Sequence, residues 1–342
     1  TIMPRIKDGL PSFEEDGIPD SFFADCSDIT IVACGTAMYA GMVGKTLMQD
    51  ILGIPVTVAI ASEFRYERPV ITDKSVVIVV SQSGETIDTL EALRLAKTKT
   101  NKTLSIVNVK GSSIARESNY VLYTHAGPEI AVASTKAYTV QAAAFYLLTC
   151  KLALVQNAMS EADARAFISN LENVSDNIAE VLKLSDKVEQ LTKRMLNASH
   201  TFFIGRGSDY TLSMEGALKL KEISYFHAEA YAAGELKHGT IALISEGVPV
   251  IALATQSHVY NKVISNIREV KARGAYVILL SMDEKITDAT ICDTHISLPK
   301  VPEQFAVFEA VVILQMIAYF TSTGKGLNAD QPRNLAKSVT VE

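Results

Sequence analysis

The sequence predicts an α/β fold made of two similar halves, each a parallel sheet flanked by helices on both faces. Three observations support this prediction. Apolar runs such as VVIVV (76–80) lack the polar alternation of half-exposed strands, which is typical of parallel strands covered on both faces. These runs alternate with helical segments. The same order of elements occurs twice along 342 residues, a length that favours two domains.

The internal repeat is long and almost free of gaps. Residues 31–66 align with residues 203–238 at a constant offset of 172, and residues 81–83 align with residues 255–257 at an offset of 174. Each copy follows the order strand, glycine turn, helix, strand, strand, helix, strand. A register kept over so many residues indicates a duplicated unit, which sets the architecture of the whole chain.

The repeat and the apolar runs together define the elements and the domains. In the first copy we expect strands near Asp28–Ala33, Pro55–Ile60, Ser75–Val80, Thr103–Val107 and Tyr120–Tyr123. The predicted organisation is a lead segment (1–25), a first domain (26–152), a helical connector (153–196), a second domain (197–329) and a C-terminal tail (330–342). Open parallel sheets bind ligands beyond the carboxyl ends of their strands, so loops at that edge are the candidate sites.

Composition and charge exclude several classes of function. The net charge is −6 without a basic run, which argues against a nucleic-acid surface. With 48% apolar and 20% charged residues, the chain has an ordinary globular composition. We expect no apolar stretch to reach the ~20 residues of a membrane span, and we interpret Phe305–Phe320, which contains Glu309, as a core helix.

The four cysteines favour a reducing compartment. Cys26, Cys34, Cys150 and Cys292 are widely spaced and form no CxxC pair, so a disulfide framework or a structural zinc site is not indicated. Buried thiols are typical of cytosolic proteins. We therefore expect a cytoplasmic protein. The sequence also shows no cluster of metal ligands, and neither a metal nor another cofactor is expected.

A turn rich in hydroxyl groups follows the third strand of the first copy. The segment SQSGET (81–86) leads into a helix expected to begin near Glu85. Helix N-termini present unpaired N–H groups, and the hydroxyls of Ser81, Ser83 and Thr86 add donors for a phosphate. The turn contains no lysine, so it is not a nucleotide-binding P-loop. The alternative is that Ser83 only caps the helix.

The second copy loses this turn and gains charged residues that could transfer protons. Glu215, Lys219 and Glu222 are spaced i, i+4 and i+7, which places them on one face of a helix predicted from about Leu212 to Tyr225. Apolar residues occupy the other faces, so a buried carboxylate beside a lysine is expected, which is a suitable acid–base pair. The alternative is a solvated row of salt bridges.

Two further residues could do chemistry. His238, in the polar segment 234–239, is suited to proton transfer near neutral pH, although a structural histidine is the alternative. Lys337 lies in the non-periodic C-terminal segment and could form a Schiff base if it is desolvated beside a carbonyl group. The alternative for this segment is a frayed tail.

These motifs together resemble the isomerase half of glutamine–fructose-6-phosphate aminotransferase (glucosamine-6-phosphate synthase), which contains tandem sugar isomerase (SIS) domains. The resemblance covers about residues 29–342, and EGALKLKEISY and PRNLAKSVTVE are its most specific strings. The matching strings are CGT (34–36), ASEFRY (61–66), SQSGET (81–86), AVASTKAYT (131–139), GRG (205–207), EGALKLKEISY (215–225), HAEAYAAGELKHG (227–239) and DQPRNLAKSVTVE (330–342). It implies two flavodoxin-like SIS domains, a homodimer and a glutaminase domain as partner.

The resemblance implies a role for each site residue. Glu222 would move a proton between C1 and C2 of the sugar with help from Lys219, and Lys337 would form an imine with fructose 6-phosphate. His238 would reach in from the partner subunit to open the sugar ring. The phosphate would be bound by Ser81, Gln82, Ser83 and Thr86, and the sugar would be contacted by Thr36, Val132, Ser134 and Ala336.

The chain departs from the family pattern in two ways. Ala37 stands where many family members have serine, and nothing in the chain matches the Cys-led glutaminase domain. We therefore expect an excised isomerase module that makes glucosamine 6-phosphate from fructose 6-phosphate and ammonia. The alternatives are a free-standing sugar-phosphate isomerase or deaminase and a non-catalytic sugar-phosphate sensor. A sensor would keep the Ser81–Thr86 loop and lose the acid–base residues.

Overall fold

Each half of the chain forms one five-stranded parallel sheet. The computed structural model describes residues 1–284, 286–338 and 340. Contacts divide the chain into a first unit (Thr1–Ile130, Ser134–Glu172 and Ala336–Glu342) and a second unit (Ala131–Ala133 and Asn173–Leu335). Residues 339, 341 and 342 of the expected C-terminal tail lie outside the described residues.

The first unit begins with a short antiparallel pair and continues with alternating helices and strands. Its elements are β1 (Ile6–Lys7), β2 (Leu10–Pro11), α1 (Ser21–Ala24), β3 (Asp28–Ala33), α2 (Gly35–Leu52), β4 (Val56–Ile60), α3 (Ala61–Phe64), β5 (Ser75–Ser81), α4 (Ile87–Lys97), β6 (Thr103–Val107), α5 (Ser113–Glu117), β7 (Tyr120–Tyr123), α6 (Lys136–Val155) and α7 (Glu161–Glu172).

The second unit repeats this alternation after two helices. Its elements are α8 (Val174–Leu182), α9 (Ser185–Thr192), β8 (His200–Gly205), α10 (Ser208–Ser224), β9 (His227–Ala232), β10 (Pro249–Ala254), α11 (Tyr260–Lys271), β11 (Tyr276–Ser281), β12 (Thr294–Ser297) and α12 (Ala306–Gly324). Short 3₁₀ turns at Glu235–His238, Ser257–Val259 and Glu303–Phe305 lie between them.

The two sheets have the same strand order. It is β4-β3-β5-β6-β7 in the first unit and β9-β8-β10-β11-β12 in the second, and all pairs in both sheets are parallel. When the five strands of each large sheet are numbered in chain order, this is the flavodoxin-like order 2-1-3-4-5. The chain changes direction across the sheet between β3 and β5 and between β8 and β10. A crevice at such a switch point is where open α/β sheets bind ligands.

Burial explains the composition of the central strands. Every residue of β5 and of β10 is buried, because helices cover both faces of each sheet. The two-copy α/β fold predicted from the apolar runs is therefore confirmed. The repeat also extends to backbone conformation, since Gly35 and Gly207, which are 172 residues apart, have φ values of 53° and 58°. Only glycine adopts such angles readily, which fixes the turn before α2 and before α10.

The longest apolar helices are core elements. By length and composition alone, Lys136–Val155 and Glu303–Gly324 could cross a membrane, and 72% and 83% of their apolar windows are buried inside the protein. The expectation that no apolar stretch reaches membrane length is therefore wrong, because α12 and the turn before it run beyond Phe305–Phe320. α6 packs on α2, and α12 packs on α10, α8 and α9, which accounts for their apolar faces.

Candidate active site

The Ser81–Thr86 loop begins at the last residue of β5 and leads into α4. The Gly84 N–H donates to Ser81 Oγ at 3.0 Å, and the Glu85 N–H donates to Ser83 Oγ at 3.2 Å. The hydroxyls of Ser81 and Thr86 lie 3.0 Å apart. The helix begins at Ile87, two residues later than expected, with Thr86 as its N-cap residue. The loop is therefore shaped by its own hydroxyl groups.

Gly84 is required by close packing beneath this loop. Its φ is +66°, and a Cβ atom there would lie 2.0 Å from Ser112 Oγ. Glu85 adds a second connection, since its Oε1 accepts the Ser113 N–H at 2.8 Å, which lowers the pKa of that carboxyl. The close packing of Gly84 on Ser112 and the hydrogen bond from Ser113 to Glu85 hold the loop against the start of α5.

The remaining groups of the loop suit an anion. In the described part of the chain, the N–H groups of Gln82, Ser83 and Thr86 take no part in the hydrogen bonds that shape the loop, so these donors remain for a ligand. The positive end of the α4 dipole also favours negative charge. Thr36, in the first turn of α2 after the neighbouring strand β3, lies at the same switch point.

Lys337, in the first unit, is bound by a carboxylate that the sequence motifs did not indicate. Its Nζ lies 2.6 Å from Glu129 Oε2 and 3.4 Å from Ser134 Oγ. Glu129 Oε1 accepts the N–H groups of Thr135 and Ala137, at 3.0 and 3.3 Å, where α6 begins. The lysine side chain is 32% exposed, and that of Glu129 is 4% exposed. Lys337 is therefore held in a defined position.

Opposing effects act on the Glu129 carboxyl. Burial alone would raise its pKa, but the Lys337 ammonium and the two N–H donors outweigh this effect, so that the pKa is lowered. The carboxylate is thus ionised at neutral pH. The sequence did contain a signal for Glu129, because Pro128-Glu129 aligns with Pro302-Glu303 at the offset of 174 that also relates β7 to β12.

The charged face of α10 lies inside the second unit. Lys219 Nζ is 2.6 Å from Glu222 Oε2 and 3.7 Å from Glu215 Oε1. The side chains of Lys219 and Glu215 are 2% and 0% exposed, and only Glu222 reaches solvent, with 21% exposed. The alternative of a solvated row of salt bridges is therefore wrong. α10 begins at Ser208, four residues before the predicted start, and this adds a turn that packs on the sheet.

This arrangement can transfer protons at one position. The buried ammonium of Lys219 stabilises the carboxylate of Glu222, and the exposed part of Glu222 is accessible to a ligand. A lysine that is buried between two carboxylates on a helix is held rigidly, which suits a group that must stay aligned with a reacting carbon atom.

The other expected site residues are distributed between the two units. His238 is exposed at the end of the 3₁₀ turn Glu235–His238. The Val132 N–H donates to the Asp330 carbonyl at 2.9 Å, and Ala336 is exposed. The first unit contains Thr36, Ser81, Gln82, Ser83, Thr86, Ser134, Ala336 and Lys337, and the second contains Val132, Lys219, Glu222 and His238.

The described residues contain no group of three or more His, Cys, Asp or Glu side chains placed to hold a metal ion. The four cysteines are free thiols, and Cys26, Cys150 and Cys292 are buried. Burial raises the pKa of the Cys26 thiol to about 11, so this group is inert at neutral pH.

The fold and these loops define a class of protein. The SIS domain model matches residues 22–151 and 194–322, one match in each half of the chain. The chain therefore belongs to the SIS domain family, and the tandem arrangement expected from the internal repeat is confirmed.

Similarity extends beyond the family to proteins with one name. The chain is 49% identical over 314 residues to glutamine–fructose-6-phosphate aminotransferase [isomerizing] of Caldanaerobacter subterraneus, which is 92% of this chain and 52% of that protein. It is 47% identical over 343 residues to the enzyme of the same name from Clostridium acetobutylicum, which is 100% of this chain and 56% of that protein. The chain spans about half the length of these curated relatives.

Solved structures agree with this relationship. The C-terminal domain of glucosamine-fructose-6-phosphate aminotransferase from Francisella tularensis superimposes with a TM-score of 0.92 at 37% identity, covering 96% of this chain and 92% of that one. Glucosamine-6-phosphate deaminase from Thermotoga maritima has a TM-score of 0.74 at 21% identity, with 96% and 97% covered. The second likeness concerns the fold alone. The Francisella tularensis structure confirms the resemblance to the isomerase half of these aminotransferases that the sequence motifs predict.

Proposed function

We propose that this chain is the isomerase module of a glutamine–fructose-6-phosphate aminotransferase, which converts fructose 6-phosphate and ammonia to glucosamine 6-phosphate. The observation that carries this proposal is the Lys219–Glu222 pair on α10, with 2.6 Å between Nζ and Oε2 and only Glu222 accessible. An aldose–ketose shift needs one aligned base at C1 and C2. The names of the relatives described above supply the substrate.

Substrate binding would use the Ser81–Thr86 loop for the phosphate and a second set of residues for the sugar. The phosphate would bind the Ser81–Thr86 loop, where N–H groups, hydroxyls and a helix dipole favour an anion. The residues proposed for this task are Ser81, Gln82, Ser83 and Thr86, and those proposed to contact the sugar are Thr36, Val132, Ser134 and Ala336. The closed sugar ring would be opened by His238, contributed by the partner subunit of a homodimer.

The nitrogen chemistry would take place at C2 of the open sugar. Lys337 would first lose its ammonium proton to solvent; its Nζ then adds to the C2 carbonyl carbon, water leaves, and an imine forms. Ammonia then replaces the lysine nitrogen at C2, which releases Lys337. The Lys337–Glu129 ion pair supports this role, because it holds the amine 3.4 Å from the Ser134 hydroxyl that would contact the sugar.

The isomerisation would be a proton transfer by Glu222. Its carboxylate takes a proton from C1 of the imine, which gives an enamine, and returns the proton to C2. The C1 hydroxyl proton is lost as C1 becomes the aldehyde carbon, and the nitrogen at C2 gains a proton as the imine becomes an amine, so the product is glucosamine 6-phosphate. Lys219 would keep Glu222 oriented while the proton leaves C1 and while it is returned to C2.

The proposed setting is a cytoplasmic homodimer supplied with ammonia by a glutaminase domain. Ammonium salts can replace that supply in a test. Purified chain is incubated with fructose 6-phosphate and ammonium chloride at pH 8, and glucosamine 6-phosphate is measured by mass spectrometry. Formation of this product supports the proposal. Glucose 6-phosphate as the only product would favour a free-standing isomerase, and binding without any turnover would favour a sensor.

A further inference from the structure

The switch-point loop of the second unit is occupied by a carboxylate of the protein itself. Asp209 lies in the first turn of α10, directly after β8, and is 0% exposed. Its Oδ2 accepts the Thr255 N–H at 2.8 Å, and its Oδ1 accepts the Thr255 hydroxyl at 2.6 Å. Thr255 directly follows the neighbouring strand β10, so the two residues bridge the crevice between β8 and β10.

A second carboxylate binds the same loop. Glu303 Oε2 accepts the Ser257 N–H at 3.0 Å. Thr255-Gln256-Ser257 is the copy of Ser81-Gln82-Ser83, so the N–H donors at both ends of this tripeptide are taken by carboxylate oxygens. Carboxylate and phosphate oxygens make the same charge-assisted hydrogen bonds with N–H and O–H donors. The second loop therefore binds anionic oxygen, but the oxygen atoms belong to the chain.

The pKa of Asp209 agrees with a carboxylate that is bound to the Thr255–Ser257 loop. Burial raises its pKa to about 6, against the lowering effect of the Thr255 and Gln256 donors, while Glu303 adds a repulsive charge nearby. Above pH 6 the group is a buried carboxylate, which the Thr255 N–H and hydroxyl neutralise in part. A buried charge persists only with such partners.

The first unit differs at both carboxylate positions. The counterpart of Asp209, at the offset of 172, is Ala37, whose methyl group makes no hydrogen bond. The counterpart of Glu303, at the offset of 174, is Glu129, whose oxygens bind Lys337 and the start of α6 instead. Within the described residues, no carboxylate accepts a backbone N–H of residues 81–83.

We propose that one position decides whether the switch-point loop of each unit binds a phosphate. This position lies two residues after the turn glycine and is Ala37 in the first copy and Asp209 in the second. Asp209 takes the place of the phosphate in the second unit, and Ala37 leaves the first loop open to a phosphomonoester. Each chain then binds one phosphate at these loops. The inference rests on the proposed function, because the Ser81–Thr86 loop is taken there as the phosphate site.

Reciprocal exchange of the two residues tests the proposal. Ala37→Asp should place a carboxylate against the Ser81 loop, and affinity for fructose 6-phosphate and for inorganic phosphate should fall at least a hundredfold in calorimetric titration. In Ala37→Asn, whose side chain has the size of aspartate but no charge, affinity for these ligands should fall about tenfold or less. In the absence of ligand, Ala37→Asp should keep the wild-type circular dichroism spectrum, and phosphate should no longer raise its Tm.

Removal of the Asp209 carboxylate should create a second phosphate site, in the second unit. Asp209→Ala should bind two phosphate ions per chain in place of one, whereas Asp209→Asn, which still fills the crevice, should bind one. Phosphate should also raise the Tm of Asp209→Ala more than that of the wild type, because binding to a new site adds to native-state stability. If Asp209→Ala folds only when phosphate is present, this dependence likewise supports the proposal.

The outcomes separate this inference from the proposed function. A wild-type chain that binds no phosphate would refute the phosphate site itself. If the wild type binds one phosphate and Ala37→Asp binds it as tightly as Ala37→Asn does, the role of position 37 is refuted while the proposed function stands. A folded Asp209→Ala chain that binds a single phosphate, with the wild-type Tm response, would refute the role of Asp209.

Discussion

The Nζ atom of Lys337 lies 2.6 Å from Oε2 of Glu129, across 208 residues of sequence. Glu129 is in turn fixed by two N–H donors at the start of α6. The carboxylate is therefore the fixed partner of the pair, and the lysine is oriented by it. This relationship makes Glu129 a positioning residue for the proposed imine chemistry.

Glu129→Gln should slow imine formation at Lys337 while leaving the phosphate site intact. The amide cannot hold the ammonium group as firmly, so the amine samples more positions, and loss of alignment of this kind costs about tenfold or more in rate. Borohydride trapping with fructose 6-phosphate, followed by mass spectrometry of the tryptic peptide, measures the effect. Lys337→Arg should trap nothing. Equal trapping rates in wild type and Glu129→Gln would show that the ion pair is not needed for positioning.

Removal of the loop hydroxyls should weaken the binding of phosphorylated sugars more than the binding of unphosphorylated sugars. For Ser83→Ala combined with Thr86→Ala we expect a loss of about 2–3 kcal/mol in binding of fructose 6-phosphate, since hydrogen bonds to charged groups contribute about 1.5 kcal/mol or more each. Binding of unphosphorylated fructose should change little. Thr98→Ala, a hydroxyl at the far end of α4 that bonds the Leu95 carbonyl, is the matched control. Equal weakening of both sugars would contradict the phosphate assignment.

Glu222→Gln should abolish proton transfer and keep substrate binding within about tenfold, or ~1.4 kcal/mol. The amide cannot accept the C1 proton, although it fills the same space beside Lys219. Exchange of the C1 hydrogen of fructose 6-phosphate in D₂O, followed by NMR, reports this step directly. Lys221→Gln, an exposed change on the same helix, should leave exchange unaltered. Exchange at the wild-type rate in Glu222→Gln would eliminate this residue as the base.

Glu309→Gln should change the dependence of stability on pH. Burial raises the pKa of Glu309 in α12 to about 7, above its ordinary value of 4.5. A raised pKa means that the folded chain binds the proton more tightly, so this contribution to stability is complete below pH 4.5 and is lost as pH rises through 7. The glutamine variant should therefore be more stable than wild type at pH 8, by about 3 kcal/mol, and of similar stability at pH 4.

Urea unfolding at both pH values measures this difference. Glu161→Gln, whose side chain is 73% exposed in the wild type, is the control and should follow the wild-type pH dependence. Asp209, with its pKa raised to about 6, has an effect of the same sign, but it is present in all three proteins and cancels in the comparison. A Glu309→Gln chain that is less stable than wild type at pH 8 would contradict the proposed cost of the buried charge.

Mixed dimers test whether His238 serves the partner subunit. His238→Ala and Glu222→Gln chains, each inactive alone, are unfolded together and refolded as a mixture. If His238 acts in the partner's site, half of the dimers are hybrids with one intact site, and about a quarter of wild-type activity returns. If both residues serve the site of their own subunit, every site in a hybrid lacks one group, and the mixture stays inactive.

Most of the fold could be predicted because its signals are local. The strands at Asp28–Ala33, Thr103–Val107 and Tyr120–Tyr123 have the bounds that the apolar runs indicate. The i, i+4, i+7 spacing also places Lys219 beside Glu215 and Glu222. The end of α12 was predicted too early, because buried Thr321 and Ser322 continue the helix after the apolar run stops, with their hydroxyls bonded to the Ile317 and Ile223 carbonyls.

The sequence by itself determined the duplicated α/β units, the hydroxyl-rich loop after β5 in the first and the charged helix α10 in the second. Only the tertiary structure decided which carboxylates meet which partners. Glu129 binds Lys337, whereas its counterpart Glu303 accepts the Ser257 N–H, and Asp209 accepts the Thr255 N–H. Helical and strand periodicity depends on neighbours a few residues apart, but these contacts join residues 46 to 208 positions apart. They follow from the order in which the strands assemble into sheets.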